Sequence, residues 1–129
     1  MLKTGILNPG INSLLSRVRH TNTLVIADRG FPFWPQIETI DISLVDDRPR
    51  VLDVLNAIRS NFNIGIAWMA EEFRGANSEE TCMEFELAMH GVPLVFEPHA
   101  EFKKRVPLAI GLIRTGDTVQ YANMIIQSA

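Results

Sequence analysis

Cysteine is almost missing from this chain. Cys82 is alone among 129 residues, so no disulfide can close within one copy, and a reducing, cytoplasmic setting is expected. Long apolar runs are missing too. No stretch approaches the ~18 apolar residues of a membrane span. The opening MLKTGILNPG has neither a long apolar segment nor a cleavage site, so neither a membrane partner nor a signal peptide is expected. No basic run suggests a nucleic-acid or membrane surface, and 12 basic against 15 acidic residues give a net charge of −3. That balance argues against a nucleic-acid surface. Neither Gly-x-Gly-x-x-Gly nor a Walker sequence is present, which counts against a nucleotide-binding module. The His, Asp and Glu residues form no close ligand motif and no nucleophile triad, so a metal hydrolase is weaker still. Internal repeats, low-complexity segments and linkers are also lacking.

What is present is globular. Hydrophobic residues make up 47% of the chain and charged residues 21%, and the length suits one domain with a real core. NPGINSLLSRVR, residues 8–19, predicts a helix: Asn8 can cap it, and Pro9 suits the first turn. Ile11, Leu14, Leu15 and Val18 give it one apolar stripe. TLVIA, 23–27, reads as a strand without alternation, hence covered on both faces. IETIDISLV, 37–45, alternates, with Ile40, Ile42 and Leu44 on one face. DDRPRVLDVLNAIRSNF predicts a second helix with Val51, Val54, Leu55 and Ile58 inward. IGIAWMA is another buried strand. Asn77 with Glu80 resembles a capping box opening SEETCMEFELAMHG, which Gly91 ends. VPLVFE is a strand and HAEFKKRV a short helix or turn. LAIGLIRTGDTVQYANMII reads as two strands around the turn signal TGD, either antiparallel or joined by a crossover. The alternation predicts a single-domain α/β layered sandwich, with a largely parallel central sheet flanked by helices.

In such sheets ligands bind outside the carboxyl ends of the strands. Asp28 follows the first strand, Glu71 and Glu72 follow IAWMA, and Glu97 and His99 follow PLVF. Tyr121 and Asn123, two apart on an expected strand, would share a face, and a phenol beside an amide suits a ligand with several hydroxyls. Each residue also has a plainer role. Asp28 can cap a turn. His20 can end the first helix, where a cation is favoured. His99 can be a helix-start residue, Glu71 and Glu72 a solvated turn, and Tyr121 and Asn123 a satisfied edge. Cys82 is assigned to the core, and His90, beside Gly91, to a helix end. FPFWP and VFEPHAEF read as packing.

Three segments carry a resemblance. ILNPGINSLLSRVRHTNTLVIADRGFP resembles the amino-terminal signature of the RbsD/FucU family, which holds D-ribose pyranase and L-fucose mutarotase: a helix ending in His, a short polar link, an apolar strand, then Asp with Pro soon after. HAEFK resembles the family's His-x-x-Phe-Lys segment, and IRTGDTVQYANMIIQS its carboxyl-terminal signature. The resemblance runs from about residue 3 to the end, so residues 1–129 are read as one sugar mutarotase domain. It implies a cofactor-independent isomerase that interconverts ring forms or anomers of a free monosaccharide, with no metal. It also implies a site of His20, Asp28, His99, Lys103, Tyr121, the Ala122 backbone and Asn123. Opening a cyclic hemiacetal takes a proton from the anomeric hydroxyl and supplies one to the ring oxygen, and an imidazole can do either near neutrality. His20 is expected as the main acid/base, Tyr121 and His99 as helpers in proton transfer or orientation, Asp28 and Asn123 as holders of sugar hydroxyls, and Lys103 as a partner of a ligand oxygen.

Asp28 lies eight positions after His20, up to ~26 Å at ~3.3 Å per extended residue. One chain therefore struggles to bring both to one sugar. The expectation is a ring-like homo-oligomer, a decamer being one such ring, with sites between subunits and FPFWP as interface or site wall. Arg29 and Trp34 depart from the smaller residues usual in the family and bear on sugar choice. The stretch between IAWMAEEF and His99 is shorter than in typical ribose pyranases. The alternative is a non-enzymatic monosaccharide-binding or regulatory protein of a sugar-uptake system.

Overall fold

Asn8 opens the first helix through its side chain, which accepts a hydrogen bond from the Ile11 N–H at 3.0 Å, while Pro9 fills the first helical position. The computed structural model describes residues 1–129, and this helix, α1, spans Pro9–Arg17. It stops short of the predicted end. Val18 is already extended and Thr21 is left-handed at φ 66°, so His20 lies in a turn instead of a last helical turn. The chain continues as β1 (Thr23–Ala27), β2 (Glu38–Asp41), α2 (Val51–Arg59), β3 (Ile64–Ala70), α3 (Glu72–Ala76), α4 (Glu79–Ala88), β4 (Leu94–Glu97), α5 (His99–Arg105), a short 3₁₀ turn, β5 (Gly111–Arg114) and β6 (Met124–Ser128).

The six strands form one sheet in the order β2-β5-β1-β6-β3-β4. Only β6 runs against its neighbours β1 and β3; the other pairings are parallel. The expected largely parallel α/β sandwich is the observed fold. The two strands around TGD, however, form no hairpin: β5 and β6 lie on opposite sides of β1. A buried central strand needs partners for the backbone groups of both its edges, and β1 takes one from each. Successive β1 residues then point into two cores. Leu24 and Ile26 meet Leu14, Leu55 and Phe85 on the face of α1, α2 and α4. Val25 and Ala27 meet Phe31, Trp68 and Phe102 on the face of α5. Each fully buried Leu or Phe contributes about 1.5–3 kcal/mol.

Three local readings change. β2 ends at Asp41, whose carboxylate accepts the Ser43 N–H at 2.9 Å in a tight turn; Leu44 is therefore 78% exposed instead of joining Ile40. Ser78, and not Asn77 with Glu80, caps α4, accepting the Thr81 N–H at 3.1 Å. Cys82 is half-buried at the margin of the core and not within it. No helix is long and apolar enough to cross a membrane.

Candidate functional site

Because β6 is antiparallel, its amino end meets the carboxyl ends of its parallel neighbours. One cavity of about 320 Å³ opens there, and Asp28, His99, Lys103, Tyr121 and Asn123 all line it. That volume lies at the small end of the ligand-pocket range of roughly 300–1,000 Å³.

Asp28 leaves β1 at this edge. Its Oδ1 accepts the Gly30 N–H at 2.9 Å, and its Oδ2 accepts from Asn123 Nδ2 at 3.0 Å. The Asn123 Oδ1 in turn accepts the Asp28 N–H at 2.8 Å. One amide side chain thus grips both backbone and carboxylate of Asp28. Burial pushes the Asp28 carboxyl above its ordinary value, partly offset by the bonds from Gly30, Asn123 and Phe31. Arg114 holds the loop in place, donating to the Phe31 carbonyl at 2.5 Å and the Pro32 carbonyl at 3.3 Å.

His99 is the first residue of α5, and Lys103 follows one turn later. The His99 N–H donates to both carboxylate oxygens of Glu72, at 3.0 and 3.1 Å. Its ring stacks against Phe31 with centroids 6.5 Å apart and meets Tyr121 edge-on at 5.1 Å and 79°. Its Nε2 is buried with no hydrogen-bond partner within the chain, and buried polar atoms ordinarily have one.

Tyr121 and Asn123 reach the cavity by a different route from the one expected. Strand β6 begins only at Met124, so period-two alternation does not place them. Tyr121 sits in a turn at φ 56°, a strained conformation for a bulky residue and one that clusters at functional sites. Ala122 is fully buried behind them, and its N–H donates to the Val119 carbonyl at 3.4 Å.

His20 is exposed beyond the other end of β1, outside the cavity. Of the two residues expected to bear on sugar choice, Arg29 lines the mouth and pairs with Asp46 at 2.5 Å. Trp34 packs on Phe31 in the second core and does not line the cavity. Glu97 bonds Arg105 at 2.6 and 3.0 Å. Asp117, Thr118 and Gln120 also line the cavity and were missed, although the turn signal TGD had marked their loop.

The family follows from a match over the whole length: the model of the RbsD / FucU transport protein family matches residues 1–129. The chain belongs to the RbsD/FucU family. Among its relatives, a D-ribose pyranase of Geobacillus kaustophilus is 41% identical over 128 residues, covering 99% of this chain and 93% of that protein. Among solved structures, Bacillus subtilis RbsD complexed with D-ribose superposes with a TM-score of 0.93 at 31% identity, covering 100% of this chain and 98% of that one. The fucose mutarotase of Streptococcus pneumoniae, solved with L-fucose, gives a TM-score of 0.82 at 18% identity over 99% and 98% of the two chains; at that identity the likeness concerns the fold alone. This RbsD/FucU chain thus shares with RbsD the overall fold in which, here, the carboxyl end of β1 lies beside the amino end of β6.

Proposed function

We propose that this RbsD/FucU protein is a cofactor-independent isomerase that interconverts the ring forms of a free aldopentose, D-ribose in the first instance. The observation that carries the reading is the cavity at the carboxyl edge. It gathers a carboxylate, an imidazole, a phenol, an ammonium and an amide around about 320 Å³, in a chain 41% identical to a D-ribose pyranase. Those groups suit a ligand that is all hydroxyls and one ring oxygen.

Asp28, held by Asn123, accepts a sugar hydroxyl. Asn123 keeps one amide N–H beyond its bond to Asp28 for another oxygen. His99 and Lys103, which line the cavity, each bond a sugar oxygen. Tyr121 orients the ring or relays a proton. His20 is the main acid/base, and it acts from a neighbouring subunit, since its own chain holds it at the far end of β1. A homo-oligomer with sites between subunits follows, and Phe33, 71% exposed in the loop that walls the cavity, is the apolar surface offered to that neighbour. The single Cys82 suits a cytoplasmic location.

Positioned proton transfer supplies about 10²–10⁴-fold. His20→Gln is therefore expected to lower catalysed ring exchange of D-ribose by about that factor, read by saturation-transfer NMR, while D-ribose still binds. Full exchange in that variant removes His20 from the mechanism. Binding of D-ribose by the unaltered protein with no acceleration makes it a sugar-binding protein instead.

A further inference from the structure

The geometry points to α3 as a bracket: Glu72 at its start and Asn77 just past its end are positioning residues that set the contact between His99 and Tyr121. The inference rests on the proposed ring-exchange site and adds two residues that do not line it.

Helix α3 is five residues long, too short to hold its own place. Phe73 anchors it, fully buried with its ring 4.8 Å from Phe85 and 6.5 Å from Phe96. From this fixed point the two ends reach in different directions. Glu72 accepts the His99 N–H with both oxygens. Pro98, the residue before α5, has no side chain able to cap that helix, so the cap comes from 27 residues away, and the anion sits where the helix dipole favours it. At the other end, Asn77 Nδ2 donates to the Phe73 carbonyl at 2.8 Å and to the Gln120 carbonyl at 2.9 Å. Gln120 precedes the left-handed Tyr121. One helix, anchored by Phe73, thus ties down the backbone at His99 and the backbone beside Tyr121, whose rings meet edge-on at 5.1 Å. Neither residue is fixed by regular structure on both sides: His99 opens a helix, and Tyr121 lies in a turn.

Tyr121 is the only tyrosine, so labelling tyrosine with ¹³C at the ring Cζ alone gives one ring signal that reports the His99 contact. In Glu72→Ala and in Asn77→Ala that signal is expected to move toward the position of free tyrosine. Catalysed exchange of D-ribose is expected to fall by about 10–10²-fold, the scale of a misplaced catalytic group, with a much smaller change in KM. Glu72→Gln keeps an acceptor oxygen for the His99 amide and should recover most of the rate, which separates a lost contact from a misfolded chain. Glu71→Gln, which removes the neighbouring charge, should leave both readings unchanged. An unchanged exchange rate in Glu72→Ala or Asn77→Ala overturns the inference. If the unaltered protein accelerates no exchange, the proposed function falls, and the tyrosine signal alone decides the bracket.

Discussion

Asp28 and Asn123 behave as one unit. The amide of Asn123 bonds the N–H and the carboxylate of Asp28 at 2.8 and 3.0 Å, so the carboxylate cannot rotate away from the cavity. Burial raises its pKa above 3.8, while the hydrogen bonds it accepts pull the other way. Folding therefore disfavours the ionised form. The contribution of Asp28 to stability is full below 3.8 and is lost as the pH rises through the higher folded value. Asn123→Ala removes one of the bonds that lower that value. The titration midpoint of the Asp28 carboxyl carbon, followed by ¹³C NMR, is expected above 3.8 in the unaltered protein and higher again in Asn123→Ala. A midpoint that stays put or falls in the variant means that Asn123 does not stabilise the anion.

Among the elements, the turn between β5 and β6 does more than reverse the chain. Asp117, 1% exposed, accepts the Val51 N–H at 2.9 Å and the Val119 N–H at 2.8 Å, capping α2 from 66 residues away in sequence. Thr115 Oγ1 donates to the Ala27 carbonyl at 2.8 Å, and a Cβ on Gly116 would collide with the Val45 carbonyl. Asp117→Ala leaves the first N–H of α2 buried and unpaired. It is expected to cost about 1–3 kcal/mol, read as a lower urea midpoint at neutral pH; an unchanged midpoint contradicts the cap. The sequence showed this turn as Gly beside Asp and did not show the helix it caps, because a bond across 66 residues leaves no local pattern. The same limit explains the other gaps. Helices α1 and α2 were legible from Asn8, Pro9 and the stripes at Ile11–Leu14 and Val51–Ile58, and β1 and β3 from unbroken apolar runs. The Met-Ile-Ile run of β6 says that a strand is buried, but an apolar run carries no direction, so its antiparallel place between β1 and β3 was hidden. Tyr121 and Asn123 were picked out as side chains that suit a polyhydroxyl ligand, yet the parity argument for them failed on one left-handed residue. Glu72 read as half of a solvated acid pair, since its partner lies 27 positions on.

At the scale of the whole molecule, the role proposed for His20 has to be reconciled with a cavity that His20 does not line. The four steps of β1 from Thr23 to Ala27 span roughly 13 Å at ~3.3 Å each, with His20 before the strand and Asp28 after it. No side-chain rotation closes that gap, and both ends are fixed: β1 is paired along its length with β5 and β6. If His20 serves the reaction, it serves another copy's cavity, and two different inactive proteins must then repair each other. His20→Gln subunits keep an intact Asp28 cavity, and Asp28→Asn subunits keep an intact His20. In equimolar, randomly mixed oligomers, roughly a quarter of the sites combine a good His20 with a good Asp28 across an interface. Co-expressed variants are thus expected to recover ring exchange toward a quarter of the unaltered rate, while each alone stays inactive. Separately purified variants, combined without subunit exchange, should recover none. If His20 and Asp28 acted within one chain, every chain would carry one lesion, and the mixture would be as inactive as its parts.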